Sequence, residues 1–165
     1  MKKLWIFLGL SLAGFSPATA RESLGIFENW GAFSDPATPR CYAIAQPVKG
    51  RSSAVRNWQP FAAIGTWPRR NVRGQVHFRL SRKVGKNVAA SVTIGDRRVA
   101  LIAGGVDAWA KDRRGDAMII AAIRSGTSMS VASVSTTGQP FTDVYALRGA
   151  ATAIDAAALG CARLR

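Results

Sequence analysis

The chain holds a single histidine, His77, and that limits the acid–base chemistry available to it. Nucleophilic catalysis needs a base within hydrogen-bond reach of the nucleophile. His77 lies between Gln75 and Arg79 in an alternating segment, residues 73–80, whose other side is Val76, Phe78 and Leu80. That placement reads as a solvated strand histidine. Residues 126–130 (GTSMS) carry Ser128 in a pattern close to a nucleophile elbow. The closing glycine is missing, however, and a helical pattern rather than a strand precedes it. The acidic side chains that cluster are Asp107, Asp112 and Asp116, among Lys111, Arg113 and Arg114. Their spacing suits helix capping and surface pairing better than the work of a carboxylate pair. Gly104-Gly105 reads as a turn, without the lysine and Ser/Thr pair of a phosphate loop. Two cysteines and one histidine are too few to close a zinc site. No catalytic, cofactor-binding or metal-binding residue is therefore expected, and the chain reads as a non-enzymatic protein. A small exported hydrolase using His77 or an aspartate pair is the alternative.

The arginines are what remains. Arg69, Arg70 and Arg73 gather around the turn after Pro68, and Arg79, Arg82 and Lys83 follow at the other end of the alternating strand. Guanidinium forks suit phosphates and carboxylates bidentately. These six residues form a candidate anion-binding surface, with Val76, Phe78 and Leu80 turned to the core and Arg73, Gln75, His77 and Arg79 turned out. The formal net charge is +14, which speaks of partners and solubility rather than fold. A charged surface that only aids solubility is the competing reading. Trp30, Trp58, Trp67 and Trp109 read as core and sheet-edge residues before a sugar-stacking platform.

The compartment follows from residues 1–20. Lys2 and Lys3 precede an apolar run over residues 4–15 (LWIFLGLSLAGF), then Pro17 and the small residues of Ala18-Thr19-Ala20. This is the pattern of a Sec-type signal peptide cleaved after Ala20. As a helix the run would rise only about 18 Å, short of a roughly 30 Å hydrocarbon core. Residues 21–165 then form one domain in the periplasm or outside the cell, and losing the two leader lysines leaves +12. Export argues against nucleic acid as the partner. Lipopolysaccharide phosphates, anionic lipid head groups or a protein partner are the candidates. Cys41 and Cys161, an even pair near opposite ends of that domain, read as a disulfide in an oxidising compartment. Two buried free thiols are the alternative.

These residues need a scaffold of short strands. Residues 25–33 (GIFENWGAF), 41–46 (CYAIAQ), 61–67 (FAAIGTW) and 73–80 are strand candidates, and residues 49–57 (KGRSSAVRN) form a loop. Residues 88–94 and 97–102 flank Gly95-Asp96, a tight-hairpin signal. Asp112 or Asp116 caps a helix running to Arg124, with Ile119, Ile120 and Ile123 inward and Gly126 as its stop. Residues 127–134 and 141–147 pair around Thr137-Gly138. Residues 149–159 are helical, with Ile154, Ala157, Ala158 and Cys161 on one stripe. The fold class is mainly β: a β-sandwich or open barrel of about eight antiparallel strands, with two short helices in the C-terminal half.

Two C-terminal segments carry a family resemblance. Residues 119–131 (IIAAIRSGTSMSV) are similar to the "LLxxLKxGxxxxV" segment of the invasion-associated locus B family. Residues 147–155 (LRGAATAID) resemble its closing "LxGFxxALD" segment, and Trp30 resembles the tryptophan of its first strand. Ala150 stands where the family has an aromatic, and the family's additional mid-chain cysteines are absent, as in a divergent member. The resemblance implies an exported, mostly β protein of the bacterial envelope, with no reaction and no catalytic residues to carry over.

Overall fold

The computed structural model describes residues 21–48 and 58–164. The leader expected over residues 1–20 and the loop expected over residues 49–57 lie outside the described residues. In chain order the strands are β1 (Glu22–Phe27), β2 (Trp30–Asp35), β3 (Arg40–Ala45), β4 (Phe61–Trp67), β5 (Val72–Val84), β6 (Ala90–Ile94) and β7 (Arg97–Ala110). Helix α1 (Arg113–Ser125), strands β8 (Ser128–Val134) and β9 (Pro140–Ala146) and helix α2 (Ala150–Ala162) follow. All nine strands form one antiparallel sheet in the order β1-β2-β3-β4-β5-β7-β6-β8-β9. The expected class, mainly β with two helices late in the chain, is what the protein has.

The sheet curls without closing. Its first hairpin returns to the far edge, where Asn29 N donates to Arg148 O at 3.4 Å and Trp30 Nε1 donates to Ala146 O at 2.9 Å. Val48 N, just past β3, donates to Val144 O at 2.7 Å. Strand β5 runs out beyond the start of β4, and its end bridges the β8–β9 hairpin through Val84 and Ser135. Phe78 of β5 and Tyr145 of β9 meet inside, with ring centroids 6.3 Å apart. Curling in this way buries one face of the sheet and leaves the two edge strands unpaired with each other.

Alternation decides which residues enter the core. Cys41, Ala43 and Ala45 of β3, Ala62 and Ile64 of β4, and Val76, Phe78 and Leu80 of β5 are buried together. Both helices pack on that inner face. Asp112 caps α1, its Oδ1 accepting from Gly115 N at 2.8 Å, and Ile119 and Ile123 are buried. Asp116, one turn on, accepts from Val76 N at 2.9 Å. Val76 lies just beyond the last β5–β7 pair, so the carboxylate satisfies an amide on the side that β7 leaves open. Helix α2 lies over β1 to β4 and is bonded to the sheet by a Cys41–Cys161 disulfide, with Cα atoms 5.5 Å apart. The cysteines are thus joined rather than free.

Three local expectations differ from the structure. Residues 25–33 make two strands, because Glu28 adopts a left-handed φ of 53° and turns the chain at Glu28-Asn29. No glycine or proline marks that turn, so the apolar run hides it. Strand β7 does not stop at Ile102 but continues to Ala110. Gly104-Gly105 is an irregularity within it, between the pairings of Arg79 and Val84, not a turn. On α2 the buried stripe is Ala150, Ala153, Ile154, Ala157 and Cys161, and Ala158 is exposed.

Candidate functional site

Among the described residues, the helices leave the other face of β1–β5 and β7 uncovered. Cross-strand register sets its residues in rows. One row runs Ile26, Gly31, Ile44, Ala63, His77 and Trp109 across six strands. The next holds Phe33, Tyr42 and Gly65, the last covered by the ring of Trp67, and a third holds Phe61, Arg79 and Asp107. Antiparallel sheets with one face packed on the core usually present alternating polar side chains on the other. Here the outward positions are largely aromatic and aliphatic. Ile26 is 68% exposed and Trp109 36%. Arginines lie over the rings: Arg40 and Arg21 over Tyr42 at 5.2 and 5.8 Å, and Arg79 over Phe61 at 5.5 Å. Burial on this face pushes the Tyr42 hydroxyl above its usual range, against the opposing pull of Arg21 and Arg40.

His77 sits within this face and is packed rather than solvated. Its Nε2 lies 2.9 Å from Asp107 Oδ1, and Arg79 Nε donates to the same oxygen at 3.1 Å. Trp109 stacks on the imidazole at 5.2 Å and 5°, and Phe61 meets it edge-on at 5.2 Å. The partner, Asp107, comes from a strand expected to end five residues earlier, which is why the pairing could not be read from spacing. Among the described residues, no hydroxyl hydrogen-bonds His77. Ser128 lies at the start of β8, which pairs with β6 and β9. The three aspartates part company as well: Asp107 holds His77 and Arg79, Asp112 caps α1, and Asp116 holds Val76 N.

The six residues of the expected anion surface fall in four places. Arg69 and Arg70 are exposed on the short 3-10 turn Pro68–Arg70. Arg79 belongs to the aromatic face. Lys83 is exposed and Arg82 half-buried near the end of β5, beside the β8–β9 turn, where Lys83 O accepts from Thr136 N. Arg73 does not share the outward face of His77 and Arg79. The β4–β5 register slips between Gly65 and Trp67, Gly74 takes a φ of 67°, and Arg73 lines the clefts beside the helices. A strict alternation, assumed over residues 73–80, misses that slip. Sequence reasoning also missed Arg40 and Tyr42, although β3 alternates cleanly and sets Tyr42 and Ile44 opposite Cys41 and Ala43.

No family model and no curated relative matches the sequence. A solved structure does. It is the crystal structure of invasion associated protein B from Bartonella henselae, at a TM-score of 0.56 and 16% identity, covering 82% of this chain and 96% of that one. The chain shares that protein's fold. The segments that resemble the invasion-associated locus B family meet in the structure at one seam. Trp30 is fully buried and bonds Ala146 O, and Leu147 N donates to Thr127 O at 3.0 Å. Gly149 adopts a φ of 84°, and a Cβ there would overlap the Phe27 carbonyl. Ala150, where the family has an aromatic, is fully buried at the start of α2. The resembling residues therefore close the curled sheet and seat α2. They build the fold, not the uncovered face.

Proposed function

We propose that the chain is an exported envelope protein, a divergent relative of the invasion-associated locus B family, that catalyses no reaction. It binds an anionic envelope component, such as lipopolysaccharide or an anionic lipid, or a protein partner. The observation carrying this reading is the uncovered face, where Phe33, Tyr42, Phe61, Trp67 and Trp109 stand outward with arginines over two of the rings. Aromatic and arginine side chains are those that dominate binding energy at interfaces. Export is supported by the Cys41–Cys161 bond, since such bonds persist in oxidising compartments, and by the leader pattern of residues 1–20.

The test is sedimentation with vesicles containing lipopolysaccharide, against neutral phosphatidylcholine vesicles, at low and raised salt. Exposed charges are screened beyond roughly 8 Å at physiological ionic strength. Binding to the anionic vesicles is thus expected to fall steeply with salt and to weaken tenfold or more when Arg69, Arg70 and Arg79 become serine. An affinity unchanged in that variant would mean that the charge serves solubility alone.

The 2.9 Å contact of His77 with Asp107 favours the hydrolase as a second reading. An Asp–His pair with no bonded hydroxyl lacks the nucleophile that such a pair activates. Any weak esterase activity is expected to persist near its parent level in both His77→Ala and Ser128→Ala. A hundredfold loss in either folded variant would establish the hydrolase.

A further inference from the structure

On the helix side of the sheet, two clefts adjoin. One, of about 470 Å³, lies between β4–β5 and α2 and is lined by Ile64, Thr66, Pro68, Ile154, Ala158 and the disulfide's Cys161. The other, of about 320 Å³, lies between β5 and α1 and is lined by Arg113, Asp116, Ile120 and Arg124. Arg73 and Gly74 belong to both, so the clefts join over them. Their sizes fall within the roughly 300–1,000 Å³ of small-molecule sites. Gly74 lets α1 approach closely at the junction: its φ is 67°, and a Cβ there would stand 2.9 Å from Ile120 Cδ1.

The charges at the junction are asymmetric. Arg124 is spent on a bidentate pair with Asp155, at 2.6 and 3.2 Å. Asp116 is the one carboxylate of the lining, and its Oδ1 already accepts from Val76 N. Arg113 uses one Nη2–H on Asn71 O, at 2.6 Å, leaving other donors of its fork. Arg73 makes no ion pair among the described residues and lines both clefts where they join. An unspent guanidinium beside the apolar side chains of Ile64, Pro68, Ile154 and Ala158 suits an amphiphile: the chain packs on those side chains and the head meets the fork.

We infer that this groove binds a single acyl chain with an anionic head, the chain lying along Ile64, Ile154 and Ala158 and the head on Arg73 and Arg113. The site is separate from the aromatic face and does not depend on the function proposed for it. The test is calorimetric titration of the full-length mature protein with dodecanoate below its micelle concentration. Inorganic phosphate supplies an anion without a chain, and dodecyl maltoside a chain without a charge. Saturable one-to-one binding of dodecanoate is expected, with both controls at least tenfold weaker. Arg73→Ser, at an exposed position, is expected to weaken it tenfold or more. Ala158→Phe, which fills the groove from an exposed helix position, is expected to abolish it, while Arg79→Ser on the opposite face leaves it unchanged. Absence of saturable dodecanoate binding would overturn the inference, as would affinity unmoved by both groove variants. Such a result would leave vesicle binding by the aromatic face untouched.

Discussion

Replacing Cys41 and Cys161 together by alanine is expected to lower the melting temperature by about 10 °C or more. The bond links residues 120 apart, so it restrains most of the described chain when unfolded. In the chain-entropy treatment, a loop of that length is worth about 4–5 kcal/mol. A domain of this size loses roughly 2–4 °C per kcal/mol, which sets the expected shift. The double variant is the right one, because a single replacement would leave a lone thiol in the core: Cys41 and Cys161 are both buried. The check is a thermal melt of parent and variant, with the parent also melted under reductant. The parent is expected to fall toward the variant when reduced, and the variant to ignore the reductant. A melting temperature unchanged by the double replacement would contradict the account. The bond matters beyond stability, since it fixes α2 against β3 and so forms one wall of the groove that Arg73 opens onto.

The disulfide was legible because it rests on two facts that need no geometry, an even cysteine count and an export pattern. Strand β5 was legible for a similar reason, since Val76, Phe78 and Leu80 obey the two-residue period of a half-buried strand. What failed were places where backbone conformation departs from the two-residue period. Glu28 turns the first hairpin with a positive φ that an apolar run conceals. The slip at Gly65–Trp67 and the positive φ of Gly74 take Arg73 to the helix side, so charges adjacent in sequence end on different faces. The His77–Asp107 pair joins residues 30 apart, through a strand whose full length no local signal marked. The uncovered aromatic face was hidden for another reason. Each outward aromatic taken singly reads as an ordinary sheet residue, and only the register across six strands collects them. Such a collection is a property of topology, which one sequence does not display.

The seam around Trp30 gives the second large effect. Trp30→Ala is expected to cost about 3–5 kcal/mol, the usual range for removing a large buried aromatic. The ring is fully buried, so little of the void can refill with water, and the indole N–H that satisfied Ala146 O is lost with it. Trp30→Phe separates the two contributions. It keeps an aromatic ring and deletes the donor, so it is expected to cost about 1 kcal/mol or more, the usual net worth of a hydrogen bond. Urea unfolding of the three proteins checks both values, and equal stability of Trp30→Phe and the parent would show that the bond to Ala146 contributes nothing. Hydrogen exchange adds a readout of place. The first hairpin is held to the far edge by Trp30 and by the Asn29 amide on Arg148 O, while Gly149 brings the start of α2 against Phe27. Loss of the indole is therefore expected to speed exchange at Asn29 and along β1 before it reaches β4 and β5. Strands β1 and β2 carry Ile26 and Phe33, one end of the uncovered face, so loosening the seam would also fray that face at its β1 side. Trp30, which shares in the family resemblance, thus supports the proposed binding surface from behind, by closing the fold that displays it.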